Sequence, residues 1–293
     1  MSKRSPNTFV IGAGPVATAL AGSLRRAGVP VLGLWARRPE AARAAARTAG
    51  VAGFSSAPPD LILEADVVVV AVSDSAIAEV AAKVCGTGLI TRRHVLLHCS
   101  GAVAAGEVLG GVAAQVGGVG TLHPLRAISD PSLNLRGTVF GVEGDPVAVD
   151  QARYLVERLG GVALSLEREQ MAAYHAAAAM ASNFVVTLVD AAARALAATG
   201  MPMEQATAAL VPLAQGALTN VAEQGAAQGL TGPIRRGDFT TVQRHLEALK
   251  VRPGALELYR ALGRATVELA ASIPEVEGGP PAAALEEIRR ALG

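Results

Sequence analysis

The chain has 293 residues, with 26 basic and 25 acidic side chains, a formal net charge of +1, and a hydrophobic content of 51% of which little is aromatic. That length suits two ordinary domains with sizeable cores, and the Ala-, Val- and Leu-rich composition suits α/β and helical layers. Basic residues are spread along the chain, which argues against a nucleic-acid partner. Two cysteines, Cys85 and Cys99, make no disulfide framework and no metal-ligand spacing, so a reducing cytoplasm and no metal are expected, with both thiols small and buried.

The segment Met1–Asn7 is short and lacks a signal-peptide pattern. The organising stretch follows it. Thr8 to Ile11 is a short apolar run that leads into Gly12-Ala13-Gly14-Pro15-Val16-Ala17 and then an Ala- and Leu-rich helical pattern. Strand, glycine turn and helix in that order predict a nucleotide-binding βα unit. Gly12 permits the turn, Gly14 leaves room for a pyrophosphate, and Ala17 lets helix and strand pack closely. The free N–H groups of the first helical turn then face an anion, with Ala13, Pro15 and Val16 bordering the cofactor beside the two glycines.

Val29 to Trp35 reads as the second strand, ending at Ala36-Arg37-Arg38. An NAD-specific domain places an acid there for the ribose hydroxyls; this chain places Arg37 and Arg38, whose guanidinium forks match a 2′-phosphate, so NADP is the expected cofactor. Ala65 to Val72 is a continuous β-branched run, as expected of a central parallel strand. It delivers Val72, Ser73 and Ser75 to the cofactor edge, with N-capping as the plain alternative for Asp74 and Ser75. The next strands, His94 to Gly101 and Val119 to Arg126, deliver Ser100 and His123 to the same edge. Thr138 to Val142 and Val162 to Leu166 complete the sheet, with a helix over Pro146–Leu159 between them.

From Glu167 onward only helical periodicity appears, so the expected domains are 1–167 and 168–293. Glu169–Thr199 is predicted as one helix. Its apolar part, Ala172–Val189, is interrupted by His175, Ser182 and Asn183, which predicts a buried helix rather than a membrane span. Further helices are predicted over Met203–Gln224, Phe239–Lys250, Pro253–Ser272 and Ala282–Leu292. The polar loop Gly229–Asp238 is a candidate functional element.

A nicotinamide reaction also needs a group that passes a proton to or from the substrate as hydride moves. His123, at a strand end before Pro124, is the best-placed histidine, and Ser100 is its hydroxyl partner across a substrate carbonyl. His175 and Ser182 share a helical face with Asn183 at its edge; they either pair internally or line a cleft. His94 and His98 read as structural, and His245 fits either role.

These motifs, with His98-Cys99-Ser100-Gly101, Tyr174-His175, Ala181-Ser182-Asn183-Phe184, and Thr231-Gly232-Pro233 before Arg236-Gly237-Asp238, resemble the "Rossmann-like and DUF2520" proteins, within the 6-phosphogluconate dehydrogenase-like NADP oxidoreductases. The resemblance covers essentially the whole chain. It implies an α/β Rossmann-type NADP-binding domain followed by an all-helical C-terminal domain that forms a homodimer. It is similar to prephenate dehydrogenases at the strand-end Ser and the His-Pro pair, which implies catalytic roles for Ser100 and His123, with Asn183 and His175 as further catalytic candidates on the helix. Likeness to pyrroline-5-carboxylate reductases in the polar loop implies that Arg235, Arg236 and Asp238 meet a substrate carboxylate. Hydroxyisobutyrate dehydrogenases and ordinary ketopantoate reductases carry a catalytic Lys on the interdomain helix. This chain's lysines are Lys3, Lys83 and Lys250, so that route is excluded. The expected function is NADP-dependent reduction of a small oxo acid or imino acid. The alternatives are a ketopantoate reductase of a non-standard class and a non-catalytic NADP-binding regulatory protein.

Overall fold

A computed structural model describes residues 4–293, so the first three residues of the Met1–Asn7 segment lie outside the described residues. The chain divides into two compact units, one running to Ser182 and one over Asn183–Gly293. The first holds one sheet of eight strands, β1 (Thr8–Ile11), β2 (Val31–Ala36), β3 (Gly53–Ser55), β4 (Val67–Val70), β5 (Val95–His98), β6 (Gly118–Pro124), β7 (Val139–Gly144) and β8 (Val162–Ser165). Their spatial order is β3-β2-β1-β4-β5-β6-β7-β8, parallel throughout except for the antiparallel β6–β7 pair. The chain reverses its direction of travel across the sheet between β1 and β4, which opens a crevice at the carboxyl ends of those strands.

Strand periodicity builds a separate core on each face. Val68 and Val70 of β4 pack into one buried cluster with Phe9, Ile11 and Leu96, while Val67 and Val69 enter the other with Val95 and Leu97. A run with no polar residue is therefore required, and each fully buried valine contributes about 1.5–3 kcal/mol relative to exposure. Helices α1 (Pro15–Arg26), α2 (Pro39–Ala49), α3 (Ile77–Cys85), the short α4 (Ala105–Val108) and α5 (Pro146–Arg158) accompany the strands. α1 and α2 meet the sheet through small residues, Ala17, Ala21, Ala42, Ala45 and Ala49. β3 and α4 were not expected; three and four residues carry too little periodicity to register.

The first unit extends past the boundary expected at residue 167, because it also includes α6 (Met171–Ala181). Two expectations about this stretch are corrected. The single helix over Glu169–Thr199 is two helices, since Ser182 leaves helical geometry (φ −122°, ψ −75°) before α7 (Asn183–Ala197) begins. Nor is it a buried helix. The run Arg168–Ala197 is long and apolar enough to cross a membrane by length and composition, and only 6% of its apolar window is buried within this chain. Apolar composition predicted burial, but composition alone does not say what packs against the run.

The second unit is helical: α7, α8 (Met203–Gly229), α9 (Phe239–Leu249), α10 (Pro253–Ala271) and α11 (Ala282–Leu292). α8 contains Pro212 and is interrupted at Gly225 (φ 78°), one residue after the end expected at Gln224. Its core joins α9, α10 and α11 through Val242, Leu246, Val267, Leu285, Ile288 and Leu292. At Gly263 a Cβ would stand 2.8 Å from Leu292 Cδ2, so this glycine sets how closely α10 and α11 approach.

Candidate functional site

The two turn glycines do different work. Gly12 has φ +135°, and a Cβ there would lie 2.1 Å from the Ala71 carbonyl oxygen, so its bareness is demanded by the strand β4 backbone. Gly14 is extended (φ −76°, ψ 175°), and a Cβ there would meet no protein atom within 4 Å. Nothing inside the protein requires Gly14 to be glycine. Its open side faces a cavity of about 740 Å³ that Gly12, Ala13, Gly14, Pro15 and Val16 border along one wall. Gly14 is also the N-cap of α1 and offers no side-chain hydrogen bond, so the first-turn N–H groups of Val16 and Ala17 are free for an anion.

Arg37 and Arg38 form another wall of this cavity, and Val72, Ser73 and Asp74 a third. Both arginines are exposed, and among the described residues neither forms an ion pair, so their forks are free for an anionic ligand. Ser75 is exposed and lies outside the cavity lining. The capping alternative for Asp74 and Ser75 is not realised, because neither the 3-10 turn Asp74–Ala76 nor α3 has a side-chain cap. Cys99 lines the cavity, and burial pushes its thiol up to about 12; it is not a nucleophile at neutral pH.

Beyond Cys99, the ends of β5 and β6 bring a second set of groups together. Ser100 is buried and its Oγ accepts a hydrogen bond from the Ala102 N–H at 3.2 Å. Gly101 lies directly on the His123 imidazole, where a Cβ would come 2.8 Å from ring atoms Cε1 and Nδ1. His123 therefore touches the Ser100 loop through Gly101. On its other side His123 Nδ1 stands 2.7 Å from the hydroxyl of Tyr174, a residue that helical spacing did not single out. The two rings meet edge to face at 5.5 Å, and His175 approaches His123 in a similar way at 6.2 Å. Tyr174 fits because its partner across the sheet is bare: His123 pairs with Gly141, where a Cβ would fall 2.8 Å from the Tyr174 hydroxyl. A glycine facing a histidine across an antiparallel pair was the available sequence signal, but the register it depends on is a tertiary fact.

Burial, reinforced by His175 and opposed by Asp74, holds His123 down to about pKa 4, so the ring is neutral at pH 7. Burial raises Tyr174, while a hydrogen bond from the Gly141 backbone works against the shift. At 2.7 Å the Tyr174 hydroxyl is placed to donate to His123 Nδ1. In that arrangement the neutral ring carries its own proton on Nε2. His175 Nδ1 is buried with no partner among the described residues.

The remaining expected site residues lie in the second unit. Asn183 opens α7, and its carbonyl accepts from the Thr187 hydroxyl. Arg235 and Arg236 border a separate cavity of about 520 Å³ with Thr231, Gly232 and Gly278; Arg235 donates to the Gly278 carbonyl. Asp238 does not line it. Its carboxylate caps α9 by accepting from the Thr241 N–H at 3.0 Å and hydroxyl at 2.6 Å, bonds that hold it below the usual carboxylate range. Among the described residues no group of His, Cys, Asp and Glu has metal-binding geometry.

Residues 8–96 match the family described as NADP oxidoreductase, coenzyme F420-dependent, and residues 138–266 match DUF2520, a domain of unknown function. No curated protein matches the chain. Among solved structures, a Thermotoga maritima protein is 25% identical with a TM-score of 0.70, covering 90% of this chain and 98% of its own. A Bacteroides fragilis protein with a provisional NADP oxidoreductase assignment is 22% identical (TM-score 0.67, covering 89% and 97%). An imine reductase from Pseudomonas sp. is 17% identical (TM-score 0.61, covering 99% and 100%). The chain thus joins a Rossmann-type segment that matches the coenzyme F420-dependent NADP oxidoreductase model to a segment that matches DUF2520, on a fold shared with solved NAD(P)-dependent oxidoreductases.

Proposed function

We propose that this protein is an NADP-dependent reductase of a small oxo acid or imino acid, in which His123 delivers the proton and Tyr174 backs it. The observation that carries this reading is the 2.7 Å bond between Tyr174 and a histidine held neutral beside the Ser100 loop. The residues fit the dinucleotide: the open side of Gly14 and the uncapped α1 N-terminus receive the pyrophosphate, and Arg37 and Arg38 the 2′-phosphate. When bound, the reduced cofactor supplies the hydride.

The protein's own task is the proton. A neutral imidazole with its proton on Nε2 donates a hydrogen bond to the substrate oxygen or nitrogen and polarises the double bond. As that proton moves to the substrate, Nδ1 takes the Tyr174 proton, so the ring stays neutral instead of becoming an imidazolate, and the Tyr174 phenolate left behind is reprotonated from solvent to close the cycle. Ser100 is the second donor to the substrate, and His175 and Asn183 belong to the same proposed machinery. Arg235 and Arg236 are proposed contacts for the substrate carboxylate; Asp238, spent on its helix cap, supports their loop. The imine reductase among the structural neighbours supports the imino alternative at the level of fold alone.

The test is a panel of 2-oxo acids, ketopantoate included, and cyclic imino acids, incubated with NADPH and followed at the nicotinamide absorbance band. Turnover by the wild type that persists in His123→Ala removes His123 from the proton's path. The second reading, a protein that binds NADP without chemistry, is favoured by one observation: neither Ser100 nor His123 lines the nucleotide cavity. It gains if NADPH binds tightly and no member of the panel is turned over.

The assembly we propose is a homodimer in the cytoplasm. α7 and α8 pack together and turn Phe184 (60% exposed), Val186 (70%), Leu213 (70%) and Leu218 (55%) outward. No charged residue occurs over 183–189 or 205–222. Such a face needs a cover. The apolar run is broken at Ser182, which leaves α7 at 15 residues, about 22 Å and short of a bilayer's apolar core, and α8 carries Gln215 and Asn220, which favours a second protein copy over lipid.

A further inference from the structure

His98 ends β5, is fully buried, and by its sequence position reads as structural. Its hydrogen bonds say more. Its Nδ1 accepts from the Ser100 backbone N–H at 3.1 Å, and its Nε2 lies 3.0 Å from Thr121 Oγ1. The Thr121 hydroxyl donates to Glu143 Oε2 at 3.2 Å, and the same oxygen accepts the Ala105 N–H at 2.8 Å. Every proton in this chain has one direction. Burial holds His98 at about pKa 4, so the ring is neutral and carries one proton. Since Nδ1 accepts from an amide, that proton is on Nε2 and goes to Thr121, whose own proton goes to Glu143.

The three side chains come from adjacent strands β5, β6 and β7, and His98 and Thr121 are register partners. Among the described residues Glu143 has no cationic partner, which is a costly way to bury a carboxyl if only core filling were needed. What the chain holds is the segment between its two ends: one end grips the Ser100 amide, the other the Ala105 amide. Between them lie Ser100 and the Gly101 backbone that rests on the His123 ring.

We propose that His98, Thr121 and Glu143 are positioning residues, a buried hydrogen-bond chain that clamps both ends of the Ser100–Ala104 loop and so seats Ser100 and Gly101 against His123. The inference rests on the reading of His123 and Ser100 as the groups that meet the substrate. Networks of this kind act as a unit, so breaking the middle link frees both ends.

The test uses the full chain with NADPH as ligand and compares Thr121→Val, which removes the hydroxyl, with Thr121→Ser, which keeps it. In the wild type the His98 ring must show a protonated Nε2 and a bare Nδ1 by nitrogen NMR at pH 7. In Thr121→Val the Ser100 and Ala105 amides should exchange about tenfold or more faster relative to Leu96 and Leu97 of β5. On any substrate the wild type turns over, kcat should fall by about tenfold or more while the NADPH dissociation constant stays within about twofold, with recovery in Thr121→Ser. A protonated Nδ1 on wild-type His98 overturns the proposal whether or not the valine variant folds. So does a valine variant whose loop and strand amides accelerate equally while kcat per folded molecule is kept, since that is the signature of a fold-stability role alone. If the wild type reduces nothing, the reductase reading fails, and the ring pattern and amide exchange still decide the clamp.

Discussion

Adding one methyl group at Gly12 and at Gly14 should produce opposite defects. At Gly12 the new Cβ would lie 2.1 Å from the Ala71 oxygen and 2.9 Å from its carbonyl carbon, both backbone atoms that cannot rotate away, at a φ of +135°. Relieving that overlap means separating β1 from β4, at a cost of about 1–3 kcal/mol for overpacking and about 1–3 kcal/mol for the backbone conformation. For a unit of this size the melting temperature of Gly12→Ala should therefore fall by on the order of 10 °C. At Gly14 the backbone is already extended and the methyl meets no protein atom. Gly14→Ala should melt within about 2 °C of the wild type. It should nonetheless bind NADPH about tenfold or more weakly, because the methyl occupies the approach of the pyrophosphate. Thermal unfolding without nucleotide, paired with NADPH titration followed by nicotinamide fluorescence, separates the two. A Gly14→Ala protein that binds NADPH as the wild type does would refute the assignment of the cavity. A Gly12→Ala protein with unchanged melting would refute the packing account.

Arg37→Ala should weaken NADPH binding by about tenfold to a hundredfold and leave NADH binding nearly unchanged, the loss of charge-assisted bonds to a 2′-phosphate; equal losses for both nucleotides would remove NADP preference from this residue. Tyr174→Phe should lower kcat by about a hundredfold with little change in NADPH affinity, since His123 loses both its tautomer lock and its proton supply; an unaltered kcat would show that Tyr174 serves packing only. Stability should fall with acid in a defined window. His98 and His123 each titrate at about 4 in the fold against 6.5 when free, so the unfolded chain binds protons first. Their contribution is fully present above about pH 6.5 and is lost as pH falls toward 4, by about 3 kcal/mol for the fully buried His98. A melting temperature that does not decline between pH 7 and pH 4.5 would contradict the neutral-ring reading of both. Finally, Leu213→Glu should convert a dimer to a monomer by light scattering behind size exclusion, without loss of helical signal; a wild type that is itself monomeric would refute the proposed interface.

The glycine-turn cavity was legible because its signals are local. A glycine turn between an apolar run and a helix, and arginines at the end of the next strand, are separated by a few residues whose spacing sets their relation. Strand β4 was legible for a related reason: a strand buried on both faces has no polar residue to place. The cluster around His123 was legible only in part. His123 and Ser100 stand out as polar residues at strand ends, but the group bonded to His123 is Tyr174, 51 positions later, and its access depends on Gly141 lying opposite His123 in an antiparallel register. The helix break at Ser182 also escaped notice, because Ser and Asn are tolerated within helices and neither terminates one unaided. For Asp238, which motif position assigned to substrate, the structure adds a partner that the motif did not name: its carboxylate accepts from Thr241, three residues along.

By itself the sequence determined the strand–glycine turn–helix unit that borders the large cavity, because a turn, a bare Cα and a helix N-terminus are consecutive in the chain and short-range sterics decide them. Tertiary structure decided everything that depends on side chains distant in sequence. It showed that Gly12 answers to Ala71 whereas Gly14 answers to no protein atom. It joined His123 to Tyr174, and it tied His98 through Thr121 to Glu143 across three strands. A hydrogen bond needs its partners placed to within a few tenths of an ångström, and only strand register and packing achieve that.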